Sequence, residues 1–255
     1  MCGRYELHTH PAALALAFGL PFAPDIYPRY NIAPMQNIPV IRNSADGVRE
    51  LAQMRWGLVP RWAKDPSIGA RMINARGETI AEKSAFRKPF ERHRCLVPAD
   101  GFYEWQAVAG RKQPMRVAMK DGATFAFAGL SERWLSSTGE VVDSCTIVTT
   151  AANALLRPLH ERMPVIIAPD DYQRWLDNSG EAPHDLIASY ASEAMTFQPV
   201  SARVNAVRND DASLIEPVDR FAEAAAAPAS TRKSENATPD AEADEAGAPE
   251  QQDLF

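Results

Sequence analysis

Short strand-like runs, each closed off by proline, glycine or a cluster of small polar residues, recur along most of this chain. Ile38–Arg42, Val48–Met54, Pro114–Lys120, Thr124–Leu130, Ser144–Thr150 and Met195–Val207 all have this form, and Cys95–Gln106 reads as strand, turn, strand. The first two runs are joined by Asn43-Ser44-Ala45-Asp46-Gly47 and read as a hairpin, while Pro28–Pro34 reads as an extended segment closed by proline. Helical signals are fewer and shorter. Thr9–Gly19 has Thr9 placed as an N-cap, Pro11 in the first turn, Leu14 and Phe18 on one face and Gly19 as the stop. Briefer helical stretches are expected at Ile80–Lys83, Ser84–Phe90, Ala151–Leu156, Pro169–Leu176 and Pro183–Tyr190. Many short strands with scattered short helices predict an α+β domain built mainly on antiparallel sheet. No fixed-period repeat is visible.

The character of the chain changes after Phe221. Residues 222–250 are dominated by Ala, Glu, Asp, Pro and Ser, a composition that cannot bury enough apolar surface to offset its ordering entropy. We therefore expect a folded domain over 2–221 and a disordered acidic tail over 222–255. The net charge of −6 belongs to that tail, since residues 1–221 carry 25 charges of each sign. Within the neutral body, Arg55–Arg94 holds ten bases against four acids. Such a segment fits a phosphate-bearing partner, and it also fits a solvated charged face. The first apolar stretch, Ala12–Leu20, lacks a basic leader, and no run approaches the ~20 apolar residues that span a bilayer, so neither a secretory signal nor a membrane partner is expected. Three widely separated cysteines argue against a disulfide framework or a zinc site and fit a reducing cytoplasm. Cys95 and Cys145, in apolar runs, are expected as packing residues. No metal or cofactor is predicted.

The third cysteine is different. Initiator methionine is normally trimmed before a residue as small as Cys2, which would leave an α-amine and a thiol two carbons apart. With ordinary pKa values of about 7.7–8.0 and 8.5, both are partly nucleophilic at neutral pH. Such a pair condenses with an aldehyde to an imine and then closes to a five-membered thiazolidine. Position alone favours an accident of the start codon, so the rest of the chain must decide. Met54–Trp62 interleaves two Trp with two Arg, an arrangement that can stack on bases and grip phosphates or merely edge a core. If Asn74 and Arg76 lie on extended backbone, they share a face. Glu104 is flanked by aromatics in a strand; it reads either as a carboxyl with a raised pKa suited to proton transfer or as an edge-strand acid in water. His160, just before the apolar run Val165–Ala168, does not stand out unaided.

Taken together, CGRY at Cys2–Tyr5, NIAP at Asn31–Pro34, WGLVPRW at Trp56–Trp62, INARGET at Ile73–Thr79, RCLVPADGFYEW at Arg94–Trp105, TTAAN at Thr149–Asn153 and HERMPVI at His160–Ile166 resemble the SOS response-associated peptidase family of abasic-site processing proteins. The resemblance implies a barrel-like β core with short flanking helices, and a cytoplasmic, nucleoid-associated protein that shields abasic sites in single-stranded DNA. It implies that Cys2 is the nucleophile of a thiazolidine crosslink. Asn74 would bind the opened deoxyribose, Glu104 would manage proton transfer, and His160 would help protonate the sugar oxygen and later help reversal. Arg4, Arg76 and Arg162 would contact flanking phosphates, and Trp62 would fix the strand bend. Lyase activity and self-processing, the source of the peptidase label, are implied as well. The tail lies outside the resemblance. Its end, Gln251-Gln252-Asp253-Leu254-Phe255, is similar to the Gln-x-x-Leu-Phe peptides that bind bacterial sliding clamps, with Gln251, Leu254 and Phe255 as anchors on a flexible tether.

Two other readings fit parts of the sequence. N-terminal-nucleophile glutamine amidohydrolases also begin Met-Cys-Gly, but typically continue with an apolar residue and glycine where this chain has Arg4-Tyr5. A non-covalent single-strand DNA-binding module would use Trp56, Trp62 and the Arg-rich segment without Cys2.

Overall fold

The computed structural model describes residues 2–108 and 110–219. In chain order its principal elements are β1 (Tyr5–Leu7), α1 (Pro11–Phe18), β2 (Arg29–Ile32), β3 (Asn37–Asn43), β4 (Arg49–Trp56), β5 (Asn74–Arg76), α2 (Arg87–Arg92), β6 (Arg94–Ala99) and β7 (Gly101–Val108). There follow β8 (Arg111–Met119), β9 (Phe125–Leu135), β10 (Val141–Ala151), β11 (Arg162–Pro164), β12 (Ile166–Ile167), α3 (Tyr172–Leu176) and β13 (Met195–Pro199).

Five strands close on themselves in the order β10-β4-β3-β6-β9 and back to β10, making a small barrel. The predicted hairpin is there, with Arg42 opposite Glu50 in the β3–β4 ladder. One barrel pairing is parallel, β4 with β10, and the short β5 also runs parallel to β10 beyond it. Beside the barrel lies an antiparallel sheet in the order β13-β8-β7-β1-β2. The mainly antiparallel α+β, barrel-like expectation therefore holds.

The run Cys95–Gln106 is indeed strand, turn, strand, but its halves enter different sheets: β6 belongs to the barrel and β7 to the outer sheet. Asp100 sits at the crossing, buried, and accepts from the His8 and Thr9 backbone N–H groups at 2.6 and 2.7 Å and from the Thr9 hydroxyl at 2.6 Å. This explains one correction to the sequence reading. Thr9 is held by Asp100, so the N-cap of α1 passes to His10, whose ring accepts from Ala12 N–H, while Gly19 ends the helix in a left-handed conformation as expected.

Other helices are shorter than predicted. Ile80–Lys83 forms turns and α2 starts only at Arg87, running on to Arg92; 151–156 is extended and turn structure; and 183–190 retains one 3-10 turn at His184–Leu186. Isolated stretches this short have little helical stability of their own, and tertiary contacts decide their shape. Within Met195–Val207 only β13 is strand, and Ala202–Asn205 is a 3-10 turn.

The main core fills the barrel and continues to the amino terminus. Tyr5 packs edge-on against Trp56 and Phe127, with ring centroids 5.5 and 5.9 Å apart. Two motif residues prove structural. Arg94 is 1% exposed and donates to the carbonyls of Phe90, Glu91, Trp175 and Asp177, binding up the ends of α2 and α3. Asn31 donates to the carbonyls of Val204, Ala206 and Asn209, so NIAP fastens the segment after β13 onto the outer sheet.

Candidate active site

The site lies where the chain's first residues, β7, β5 and the approach to β11 meet. Cys2 leads directly into β1, which is an internal strand between β2 and β7. Its side chain is fully buried. Burial holds the thiol well above its ordinary pKa, the charge of Glu104 adds to this, and the amino-terminal charge and the Arg4 N–H oppose it. The thiol is thus kept neutral. Cys95 and Cys145 are likewise buried and free, inside the barrel core, as expected of packing residues.

Asn74 is the second component. The pairing of β5 with β10, Asn74 opposite Ile147 and Arg76 opposite Thr149, buries Ala75 and turns Asn74 and Arg76 to the other face. The Asn74 amide donates to the Cys2 carbonyl at 2.8 Å. Its Oδ1 is buried and has no hydrogen-bond partner among the described residues. A buried acceptor left this way costs about 1–3 kcal/mol, so a ligand hydroxyl placed there would relieve a standing penalty. Gly77 allows this geometry, because a Cβ there would collide with Ile187.

Glu104 completes the inner site. Its strand β7 runs between β8 and β1, not at an edge, which settles the two sequence readings in favour of burial. Burial raises the Glu104 pKa, opposed by the charge of the amino terminus and by His160. His160 stands within electrostatic reach, and its Nδ1 accepts from the Arg162 backbone N–H at 2.9 Å. In a neutral ring that bond leaves the proton on Nε2.

The outer residues divide. Trp62 is 57% exposed and, with Asn74, Arg76, Lys83 and Phe86, lines an open groove of about 350 Å³. Arg76 is exposed beside it. Arg162 forms a fork with Glu78, at 2.5 and 2.8 Å, and also donates to the Thr149 carbonyl at 2.7 Å. Arg4 turns inward: its Nη1 donates to Asn31 Oδ1 at 2.7 Å and to the Val204 carbonyl at 2.8 Å. Trp56 corrects the stacking reading. It is fully buried, with Nε1–H on the Ile73 carbonyl at 2.9 Å, and offers no face to a base. Sequence reasoning did not single out Glu78, Lys83 or Phe86; their only signal is position in or just after INARGET. Gln251, Leu254 and Phe255 lie outside the described residues.

Comparison with known proteins agrees with this architecture. The profile of the family described as SOS response associated peptidase (SRAP) matches residues 1–207. The chain is 43% identical over 223 residues to the abasic site processing protein YoaM of Bacillus subtilis, covering 85% of this chain and 98% of that one. It is 31% identical to the abasic site processing protein YedK of Escherichia coli, covering 86% and 100%. With the abasic site processing protein HMCES of Pongo abelii the identity is 32%, covering 86% and 77%. Among solved structures, a protein from Bacteroides thetaiotaomicron superposes with a TM-score of 0.76 at 25% identity, covering 85% of this chain and 100% of that one. With most of the described domain matched in sequence and in fold, the chain belongs to the SRAP family.

Proposed function

We propose that this protein processes abasic sites in single-stranded DNA by capturing the ring-opened sugar on Cys2 as a thiazolidine. The observation that carries the reading is the meeting of a buried thiol, a buried unpartnered amide oxygen on Asn74 and a carboxyl of raised pKa at the chain's amino end. Relatives named as abasic site processing proteins support the same substrate.

With Met1 removed, the Cys2 amine adds to the sugar aldehyde. Glu104, protonated more readily than an ordinary carboxyl, gives a proton to the departing hydroxyl, and water leaves as the imine forms. The neutral thiol then adds to the carbon of the resulting iminium: sulfur bonds to carbon, the C=N π pair moves to the nitrogen, which keeps its proton, and the Glu104 carboxylate takes the thiol proton and is restored. Asn74 Oδ1 accepts from a sugar hydroxyl, which fixes the aldehyde carbon against the aminothiol. His160, with its proton on Nε2, donates a hydrogen bond to the ring oxygen and so supports its protonation by solvent as the furanose opens. Arg76 and Arg162 contact phosphates and Trp62 stacks on a flanking base, which gives affinity without a sequence code. Arg4, held by Asn31 and Val204, supports the site chiefly by fixing the backbone beside Cys2. An imine that fails to close leaves the 3′ phosphate open to β-elimination, the route to lyase activity.

The test is incubation with an abasic oligonucleotide, followed by a denaturing gel and mass analysis of the amino-terminal peptide. A stable adduct on Cys2, absent in Cys2→Ala and absent with undamaged DNA, is expected. Undiminished crosslinking by Cys2→Ala would refute the proposal. We propose further that Gln251–Phe255 binds the sliding clamp. Deleting those five residues would then abolish clamp pull-down and leave crosslinking intact.

A further inference from the structure

A second polar cavity, of about 490 Å³, opens among the β3–β4 hairpin, the start of β10 and the end of α2. Arg42, Arg61, Arg92 and Arg133 reach it. Four acids share the lining, and the way three of them are used matters. Glu50 and Glu132 take Arg42 and Arg61 through Nε alone, each in a single bond of 2.7 or 2.6 Å. Such a bond fixes the guanidinium plane while leaving its terminal N–H groups unused, and neither side chain has another hydrogen bond among the described residues. Among the described residues Arg92 donates only to the Asn178 carbonyl, at 3.2 Å. Arg133 is closed off by Asp143, which takes both Nε and Nη2 at 2.7 and 2.8 Å. The fourth acid, Asp46, is exposed at the hairpin tip.

Three orienting contacts thus leave terminal N–H groups free on three forks around one cavity, and buried Arg94, bonded to backbone carbonyls, adds a positive charge opposed by that of Asp177. His93, also in the lining, is held below its ordinary pKa by burial; Glu132 pulls it back up, and the smaller effects of Arg61, Lys88 and Arg42 push it down. Planar forks with free donor pairs match the oxygens of a phosphodiester.

One chain segment and one strand link the cavity to the groove beside the candidate site. Arg61 lines the cavity and its neighbour Trp62 lines the groove. Along β10, Asp143 at the cavity and Ile147, the partner of Asn74, are four residues apart, about 13 Å at ~3.3 Å per residue. We propose that Arg42, Arg61 and Arg92 form a second phosphodiester-binding site, which receives the DNA strand after it passes Trp62. This deepens the abasic-site reading and rests on it.

The experiment compares the full chain with the Arg42→Ala/Arg92→Ala variant, neither residue belonging to the reactive site. Binding to an undamaged single strand of about 20 nucleotides and to one of about 5 is measured against salt. For the long strand, losing two contacts should flatten the plot of log affinity against log salt by roughly 1.4, about 0.7 per phosphate. The short strand should show no change, and crosslinking to a short abasic strand should proceed at the wild-type rate. Arg42→Lys/Arg92→Lys should recover most of the slope, because the charges return. Unaltered slope and affinity for the long strand in the alanine variant would overturn the proposal, whether or not a free nucleoside monophosphate binds the cavity in calorimetry. Absence of crosslinking to any abasic strand by the wild-type protein would instead refute the reading on which it rests.

Discussion

The two ends of Trp56–Trp62 carry the same aromatic residue six positions apart and meet opposite fates. Trp56 closes β4 inside the barrel, fully buried against Tyr5, and Trp62 stands 57% exposed in the groove beside Asn74. Between them the chain turns sharply at Gly57, whose φ of 141° suits glycine and whose absent side chain lets the Gly69 carbonyl approach. The same approach holds in reverse, since a Cβ on Gly69 would lie 2.5 Å from the Gly57 carbonyl oxygen. One tryptophan therefore builds the scaffold and the other faces the open groove, and a backbone contact between two glycines separates the two.

That division can be broken at several points. Trp56→Ala should cost about 3–5 kcal/mol of stability, read by denaturant unfolding, because it empties a core position. Retained stability would mean that the barrel does not depend on this ring. Gly57→Ala should cost about 2–4 kcal/mol, since it combines an unfavourable φ with a contact of 2.6 Å to the Gly69 carbonyl oxygen. Trp62→Ala should leave stability within about 0.5 kcal/mol but weaken single-strand binding by about 1–3 kcal/mol, measured by fluorescence anisotropy. A loss of stability there would erase the contrast.

Glu104 sharpens the comparison, being buried like Trp56 yet part of the candidate site like Trp62. Because burial raises its folded-state pKa, the folded chain keeps a proton that the unfolded chain has released. Stability should therefore decline as pH rises from the ordinary carboxylate range through the folded pKa, and the deficit should be complete above it. Glu104→Gln should then raise the Tm at neutral pH, leave it unchanged below about pH 4, and slow crosslinking by about 10²–10⁴-fold. A lower Tm at neutral pH would show that the carboxylate stabilises the fold.

The antiparallel character and the β3–β4 hairpin were legible because turn residues bracket alternating runs. Barrel closure came through the family resemblance alone, since the parallel β4–β10 pairing joins residues far apart in sequence and has no local pattern. The same limit hid the separation of β6 from β7: a tight turn at Asp100 looks like a hairpin until the partners of each strand are known. In the candidate site, strand alternation put Asn74 and Arg76 on one face and the aromatic flanks of Glu104 left burial and solvent both open, while the roles of all three came from the resemblance. His160 had no local signature, and its nearness to Glu104 comes from the tertiary fold. The split fates of Trp56 and Trp62 were likewise illegible, because both sit beside turn-formers and only one ends a barrel strand.

Most chain ends fray, yet here the strand next to Cys2, β1, is woven between β2 and β7, with Tyr5 anchored in the barrel core. The ordering that a mobile tail would undergo on meeting its target is therefore completed when the domain folds. A corollary reaches well beyond the first five residues: Asn31, which laces the segment after β13 to β2, helps keep the amino end still from the far side of the sheet. Slackening there would be felt as sluggish chemistry before it was felt as unfolding.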